Sequence, residues 1–112
     1  MAKVFGFTPI ELREGVRGED FEKFWLEEYA PLGAKLGWKG YVLKGDRGQR
    51  KGKYAVIWEI PEVEARDRFA PDVDHFSDEA LQLLGPEFDI LNKKLDAFVV
   101  DWIYTDYIEL GK

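Results

Sequence analysis

Cysteine is absent from this chain, which excludes a disulfide framework, a thiolate metal site and a cysteine nucleophile. Histidine, serine and asparagine occur once each, as His75, Ser77 and Asn92. No Ser-His-Asp arrangement is credible from that stock, because Ser77 precedes Asp78 and Glu79, where its natural duty is to cap a helix. No apolar run approaches the roughly 20 residues of a membrane span. Residues 1–3 lead straight into strand-like sequence, so no secretory leader is expected. Positive charge is also short: 16 Lys and Arg stand against 22 Asp and Glu, a formal net charge of −6. Nucleic-acid phosphates require a basic face, so that balance argues against such a partner. A cytoplasmic protein without a membrane anchor is the simplest expectation.

What is present is a globular composition. Of the 112 residues, 46% are hydrophobic and 15% aromatic, far from the polar profile of disorder. That length predicts one domain over residues 1–112, with a genuine core. Charged residues make up 34%, rich in Glu, Lys and Arg, with one Asn and one Met, a balance that fits a heat-adapted source.

Residues 3–13 read as a first strand, with Phe5 and Phe7 on one face and Val4, Thr8, Ile10 and Leu12 on the other. Pro9 cannot donate to a ladder, so a bulge or a break in pairing is expected there. Glu19 and Asp20 then open a helix at the end that favours negative charge. Phe21, Phe24, Trp25, Tyr29, Leu32 and Leu36 recur at helical spacing and form its buried stripe. Pro31 should kink that helix near Glu27 or begin a final turn, and Gly37 suits a C-terminal cap. Residues 38–44 read as a second strand, residues 45–52 as a hairpin loop, and residues 53–60 as a third strand. A short helix is expected over residues 62–70, stopping before Pro71. A second, capped by Ser77, carries Leu81, Leu84, Phe88, Leu91 and Leu95, with Gly85 and Pro86 dividing it.

The last stretch, residues 96–109, reads as a strand that is apolar on both faces. Phe98, Val100, Trp102 and Tyr104 alternate with Val99, Asp101, Ile103, Thr105 and Tyr107. In the third strand Tyr54, Val56, Trp58 and Ile60 oppose Ala55 and Ile57 in the same way. A sheet apolar on both sides must be covered on both, and two helical regions cover only one. A second copy of the chain is the expected cover for the other. The element order is β-α-β-β-α-β, an α+β, ferredoxin-like pattern with a four-stranded antiparallel sheet.

With those elements in place, the chain resembles the dimeric α/β barrel superfamily along nearly its whole length. Residues 21–32 (FEKFWLEEYAPL) are similar to the helix of EthD-like members, in which an aromatic-Trp pair precedes a His-x-Pro-Leu type ending; Tyr29 stands where that histidine is expected. Residues 10–15 (IELREG), with Gly40-Tyr41 and Trp58-Glu59, resemble NIPSNAP-like members. The resemblance implies two ferredoxin-like subunits packed sheet to sheet into a homodimeric α/β barrel, with or without a larger assembly, and a ligand cavity between sheet and helices. Such members include cofactor-independent monooxygenases of the antibiotic biosynthesis type, haem-degrading and haem-binding proteins, isomerases and proteins with no known activity, so the fold alone does not select a chemistry. The haem-degrading members use a histidine in the second helical region with a tryptophan and an asparagine. Here His75 precedes the clear helix and Asn92 lies near its end, which disfavours haem degradation and leaves simple ligation through His75.

Within such a cavity the chemistry-bearing residues are few. His75, in the run Asp72-Val73-Asp74-His75-Phe76-Ser77, is a candidate general base because a neighbouring carboxylate fixes its tautomer. The plainer reading of the same run is a surface turn whose acids feed the next helix. If residues 75–79 were helical, His75 and Glu79 would share a face, but a metal site needs three or four convergent ligands, so none is assigned. Asp101, an acid inside an apolar strand, is a candidate proton acceptor or that strand's one solvated position. Glu27, Glu28 and Glu59 are further candidate cavity carboxylates. Tyr29 is a candidate hydrogen-bond donor, and Trp25, Trp58, Phe76 and Trp102 are candidate ligand-wall residues; the alternative for the aromatics is plain core packing. Arg47, Arg50 and Lys51, flanked by Lys44 and Lys53, form a basic hairpin loop that is either solvated or an anion or partner contact. The leading expectation is a binding protein or cofactor-independent enzyme for a small hydrophobic, aromatic molecule. The rivals are a non-enzymatic, stress-related oligomer and a haem or metal protein using His75.

Overall fold

The computed structural model describes residues 2–111. Its elements run β1 (Val4–Ile10), α1 (Gly18–Phe24), a π-helical turn (Trp25–Tyr29), α2 (Ala30–Ala34), β2 (Lys39–Lys44), β3 (Tyr54–Ile60), α3 (Val63–Phe69), α4 (Asp78–Leu84), α5 (Glu87–Phe98) and β4 (Thr105–Ile108). The four strands form one antiparallel sheet in the order β2-β3-β1-β4. That is the ferredoxin-like arrangement expected from the element order.

Alternation in β1 and β3 decides which face the helices cover. Val4, Thr8 and Ile10 of β1 and Tyr54, Val56, Trp58 and Ile60 of β3 are buried. Apart from Thr8, they form one cluster with Phe21, Phe24, Trp25, Leu32, Leu84, Leu91 and Leu95 from the helices. The opposite face carries Phe5 and Phe7 of β1, paired across to Tyr107, Thr105, Glu59 and Ile57, and Tyr41 and Leu43 of β2. It stays open: Leu43 and Tyr107 are 45% and 56% exposed. Its main polar feature is Glu59, which accepts from Lys3 at 3.0 Å and from the Tyr41 hydroxyl at 2.8 Å.

Pro9 and Pro31 each disturb the element that holds them. Pro9 stays in register with Ala55 of β3 without a bulge, while the pairing of β1 with β4 ends two residues earlier at Phe7. The break therefore falls on the β4 side, where no ladder partner needs the missing donor. Pro31 lacks the N–H that would reach the Glu27 carbonyl. The helix answers with a π turn, in which the Ala30 N–H reaches five residues back to Trp25. Gly37, at φ +81°, ends α2 as the predicted cap, with the Trp38 N–H bonded to the Gly33 carbonyl at 3.0 Å.

The largest correction concerns residues 96–109. Helix α5 continues to Phe98, and only Thr105–Ile108 forms the strand. Leu91, Leu95 and Phe98 keep a helical period, and that period wins: Leu91 and Leu95 are buried, and Phe98 stacks on Phe24 at 4.9 Å between centroids. The helix stops at the β-branched pair Val99 and Val100: Val99 faces Leu12 in a bridge closed by the Val100 N–H on the Glu11 carbonyl and the Arg13 N–H on the Phe98 carbonyl. Residues 101–104 follow as irregular chain, so two apolar strand faces do not exist there.

Candidate functional site

Between the covered sheet face and the helices lies a cavity of about 630 Å3, within the range of small-molecule sites. Its apolar wall is aromatic: Trp58 from β3, Trp38 before β2, Tyr29 from the π turn, Phe76 before α4 and Phe88 from α5. Trp102 and Tyr104, from the irregular segment before β4, complete it. Glycines set the position of Trp58. A Cβ at Gly33 would collide with its indole, and one at Gly40 would stand 2.7 Å from the same ring. Gly6 does the same for Tyr104, whose hydroxyl occupies the space that a β-carbon at residue 6 would need.

Polar groups are few and mutually arranged. The Tyr29 hydroxyl donates to Asn92 Oδ1 at 2.6 Å. Burial, and secondarily the charge of Asp96, pushes the Tyr29 hydroxyl above its ordinary value. Burial also raises the Tyr104 hydroxyl, helped by the adjacent Asp106 carboxylate and opposed by Arg66. Both phenols are therefore neutral hydrogen-bonding groups at physiological pH. Arg66 of α3 meets Asp106 of β4 at 3.4 Å and Asp67 at 3.1 Å. The second oxygen of Asp106, Oδ1, is buried and has no partner among the described residues. The rim is a tight turn in which the His75 N–H donates to the Asp72 carbonyl at 3.2 Å, and it brings Asp72, Val73, Asp74 and His75 to the opening.

Of the residues singled out from the sequence, Tyr29, Trp58, His75, Phe76 and Trp102 all line this one cavity. Two others do not. Asp101 is exposed in the irregular segment, because the strand that was to bury it is not formed there. Trp25 is fully buried one layer behind the wall, stacked on Tyr29 at 4.9 Å and tilted against Trp58 at 5.2 Å. Its role is to back two wall residues. The carboxylates expected from Glu27, Glu28 and Glu59 are likewise absent from the lining: the first two are exposed on the helix, and Glu59 belongs to the open sheet face. His75 and Glu79 share no helical face, since α4 begins at Asp78 and Glu79 pairs with Arg68 at 2.5 Å. Among the described residues no three His, Asp or Glu side chains converge as a metal site. In the hairpin loop, Arg50 donates to the Tyr54 carbonyl at 2.8 Å and to the Ile10 carbonyl at 3.4 Å, a structural tie.

Arg66, Tyr104 and Asp106, with Trp38, Asn92 and Phe88, are among the lining residues that sequence reasoning missed. Period 2 at Tyr104 and Asp106 was visible. No local signal, however, says that α3 would stand over the end of β4. Asn92 carried one available clue, as a polar residue on the apolar stripe of α5 between Phe88 and Leu95.

No family model matches the sequence, and neither does any curated protein. Solved structures do match. An uncharacterised NIPSNAP-like domain protein from Burkholderia xenovorans aligns over 98% of this chain and 85% of its own, with a TM-score of 0.63 and 16% identity. A Dabb family protein with a ferredoxin-like fold from Mesorhizobium loti aligns over 99% and 100%, with a TM-score of 0.61 and 14% identity. A dimeric protein of unknown function and ferredoxin-like fold from Bacteroides fragilis aligns over 94% of each chain, with a TM-score of 0.54 and 19% identity. At such identities the likeness is one of fold. The chain has a ferredoxin-like fold, as the Mesorhizobium loti and Bacteroides fragilis proteins are described as having and as the resemblance in its sequence implied.

Proposed function

We propose that this protein binds a small hydrophobic, aromatic molecule in the cavity between its sheet and helices, and that it does so as a sheet-to-sheet homodimer. The observation that carries the reading is the 630 Å3 aromatic-lined space beside the Tyr29–Asn92 hydrogen bond. A purely structural oligomer predicts solid packing at that place. The open apolar sheet face supports the dimer, as does the description of one similar structure as dimeric. Native mass spectrometry of gently purified protein reads stoichiometry and retained ligand together. Titration with 2-naphthol, a neutral aromatic probe, is expected to saturate at one molecule per subunit. Ala70→Trp, which fills the cavity from α3's end, should weaken that binding at least about tenfold with an unchanged circular dichroism spectrum. Equal binding by a folded Ala70→Trp variant rules the cavity out as the site.

His75 and Tyr29 reaching one cavity favours a second reading, a cofactor-independent enzyme of the monooxygenase-like kind. His75 would accept a proton from the bound molecule, and Tyr29 would turn its hydroxyl from Asn92 to the ligand as a hydrogen-bond donor. Under that reading His75→Ala keeps ligand affinity and loses turnover. Turnover that survives the substitution removes His75 from the site.

A further inference from the structure

We propose that the cavity selects a cationic aromatic ligand, an arylalkylammonium, over neutral and anionic aromatics of the same shape; this rests on the cavity reading above. Three observations converge on positive charge. First, seven aromatic side chains line the space: Tyr29, Trp38, Trp58, Phe76, Phe88, Trp102 and Tyr104. The faces of such rings carry negative quadrupole charge that attracts a partly desolvated cation.

Second, the lining charges do not balance. Asp72, Asp74 and Asp106 stand against Arg66, with His75 counted as neutral. Two carboxylates, Asp106 and Asp67, already meet the Arg66 guanidinium and outweigh its single charge. Asp72 and Asp74 form no ion pair among the described residues, so the uncompensated charge at the rim is negative. Third, the Tyr29 oxygen gives its own proton to Asn92, so it keeps lone pairs to offer. An ammonium supplies donors to acceptors of this kind. A carboxylate ligand supplies none and would meet acids at the opening.

The test uses three ligands that share one ring system: 2-naphthylmethylammonium, 2-naphthylmethanol and 2-naphthoate. Isothermal titration calorimetry on the full chain at low salt is expected to rank them in that order, with the ammonium about tenfold tighter than the alcohol. The double variant Asp72→Asn/Asp74→Asn keeps the turn, since an amide oxygen can still accept from the Val73 N–H that Asp72 holds at 2.8 Å. It should bring the ammonium within about twofold of the alcohol and leave the alcohol's affinity unchanged. Raising NaCl to about 0.5 M should shrink the ammonium's advantage in the parent protein, because the rim acids are exposed. The proposal is overturned by naphthoate binding as tightly as the ammonium, or by a preference that the double variant leaves intact. Binding of all three with equal affinity defeats the charge selection while the cavity reading stands. No binding by any of them defeats the cavity reading and this inference with it.

Discussion

At the residue scale, small side chains do as much to shape the cavity as large ones. Trp58 and Tyr104 lie where they do because Gly33, Gly40 and Gly6 leave room for them. Gly6 sits in β1 opposite Trp58 and Asp106, and its missing side chain is filled by Tyr104. Alanine normally gains roughly 0.5–1 kcal/mol over glycine inside a strand. The Cβ of Gly6→Ala would meet the tyrosine ring, and overpacking of that kind costs about 1–3 kcal/mol. The expected outcome is a net loss of stability in urea denaturation, which vanishes or reverses when Tyr104→Ala supplies the background. Equal losses in both backgrounds would show that Tyr104 does not occupy that space. Sequence reading could nominate Tyr29, Trp58, His75, Phe76 and Trp102 because aromatic and titratable residues announce themselves by type. The glycines stayed silent, since what matters about each is the ring that fills its empty side from a distant part of the chain.

At the element scale, local signals located most boundaries. Ser77 caps α4 as its position before two acids predicted, accepting from the Ala80 N–H at 3.2 Å. Ser77→Ala should cost about 1 kcal/mol, the usual worth of such a cap, read as a lower denaturation midpoint with unchanged slope. The same helix boundary holds the rim turn against Phe69, whose carbonyl accepts from the Ser77 N–H at 2.9 Å. Gly85-Pro86 and Gly37 were equally legible, because a break or a positive φ depends on the residue itself. The exception is the end of α5. Of residues 96–98 only Phe98 favours a strand by type, while the period of Leu91, Leu95 and Phe98 favours a helix, and the contacts of Phe98 with Phe21 and Phe24 fix the helical course. The π turn lies between these cases. Pro31 marked the disturbance, while the cavity-side placement of Tyr29 depended on how the turn absorbed it.

At the scale of the whole molecule, the sheet has one face finished and one unfinished. Helices bury the face of Val4, Val56 and Ile60, whereas Phe7, Ile57, Leu43 and Tyr107 remain at the surface of a single copy. Replacing Phe7 with Glu and Ile57 with Lys should leave a folded monomer in sedimentation experiments, where the parent chain is expected to sediment as two copies. A parent chain that is monomeric at micromolar concentration removes the sheet face as an interface. What the sequence alone determined is the α+β class, the element order, the helix caps and the alternation of β1 and β3. Each depends on propensity or periodicity within a few residues, and the chain carries that information locally. Tertiary structure alone decided that no strand forms between Phe98 and Thr105 and that Asp101 is left in solvent. It also decided that Arg66, Asn92, Tyr104 and Asp106 meet Tyr29 and Trp58 around one space. Those meetings join residues dozens of positions apart, and what selects them is which surfaces exclude water together.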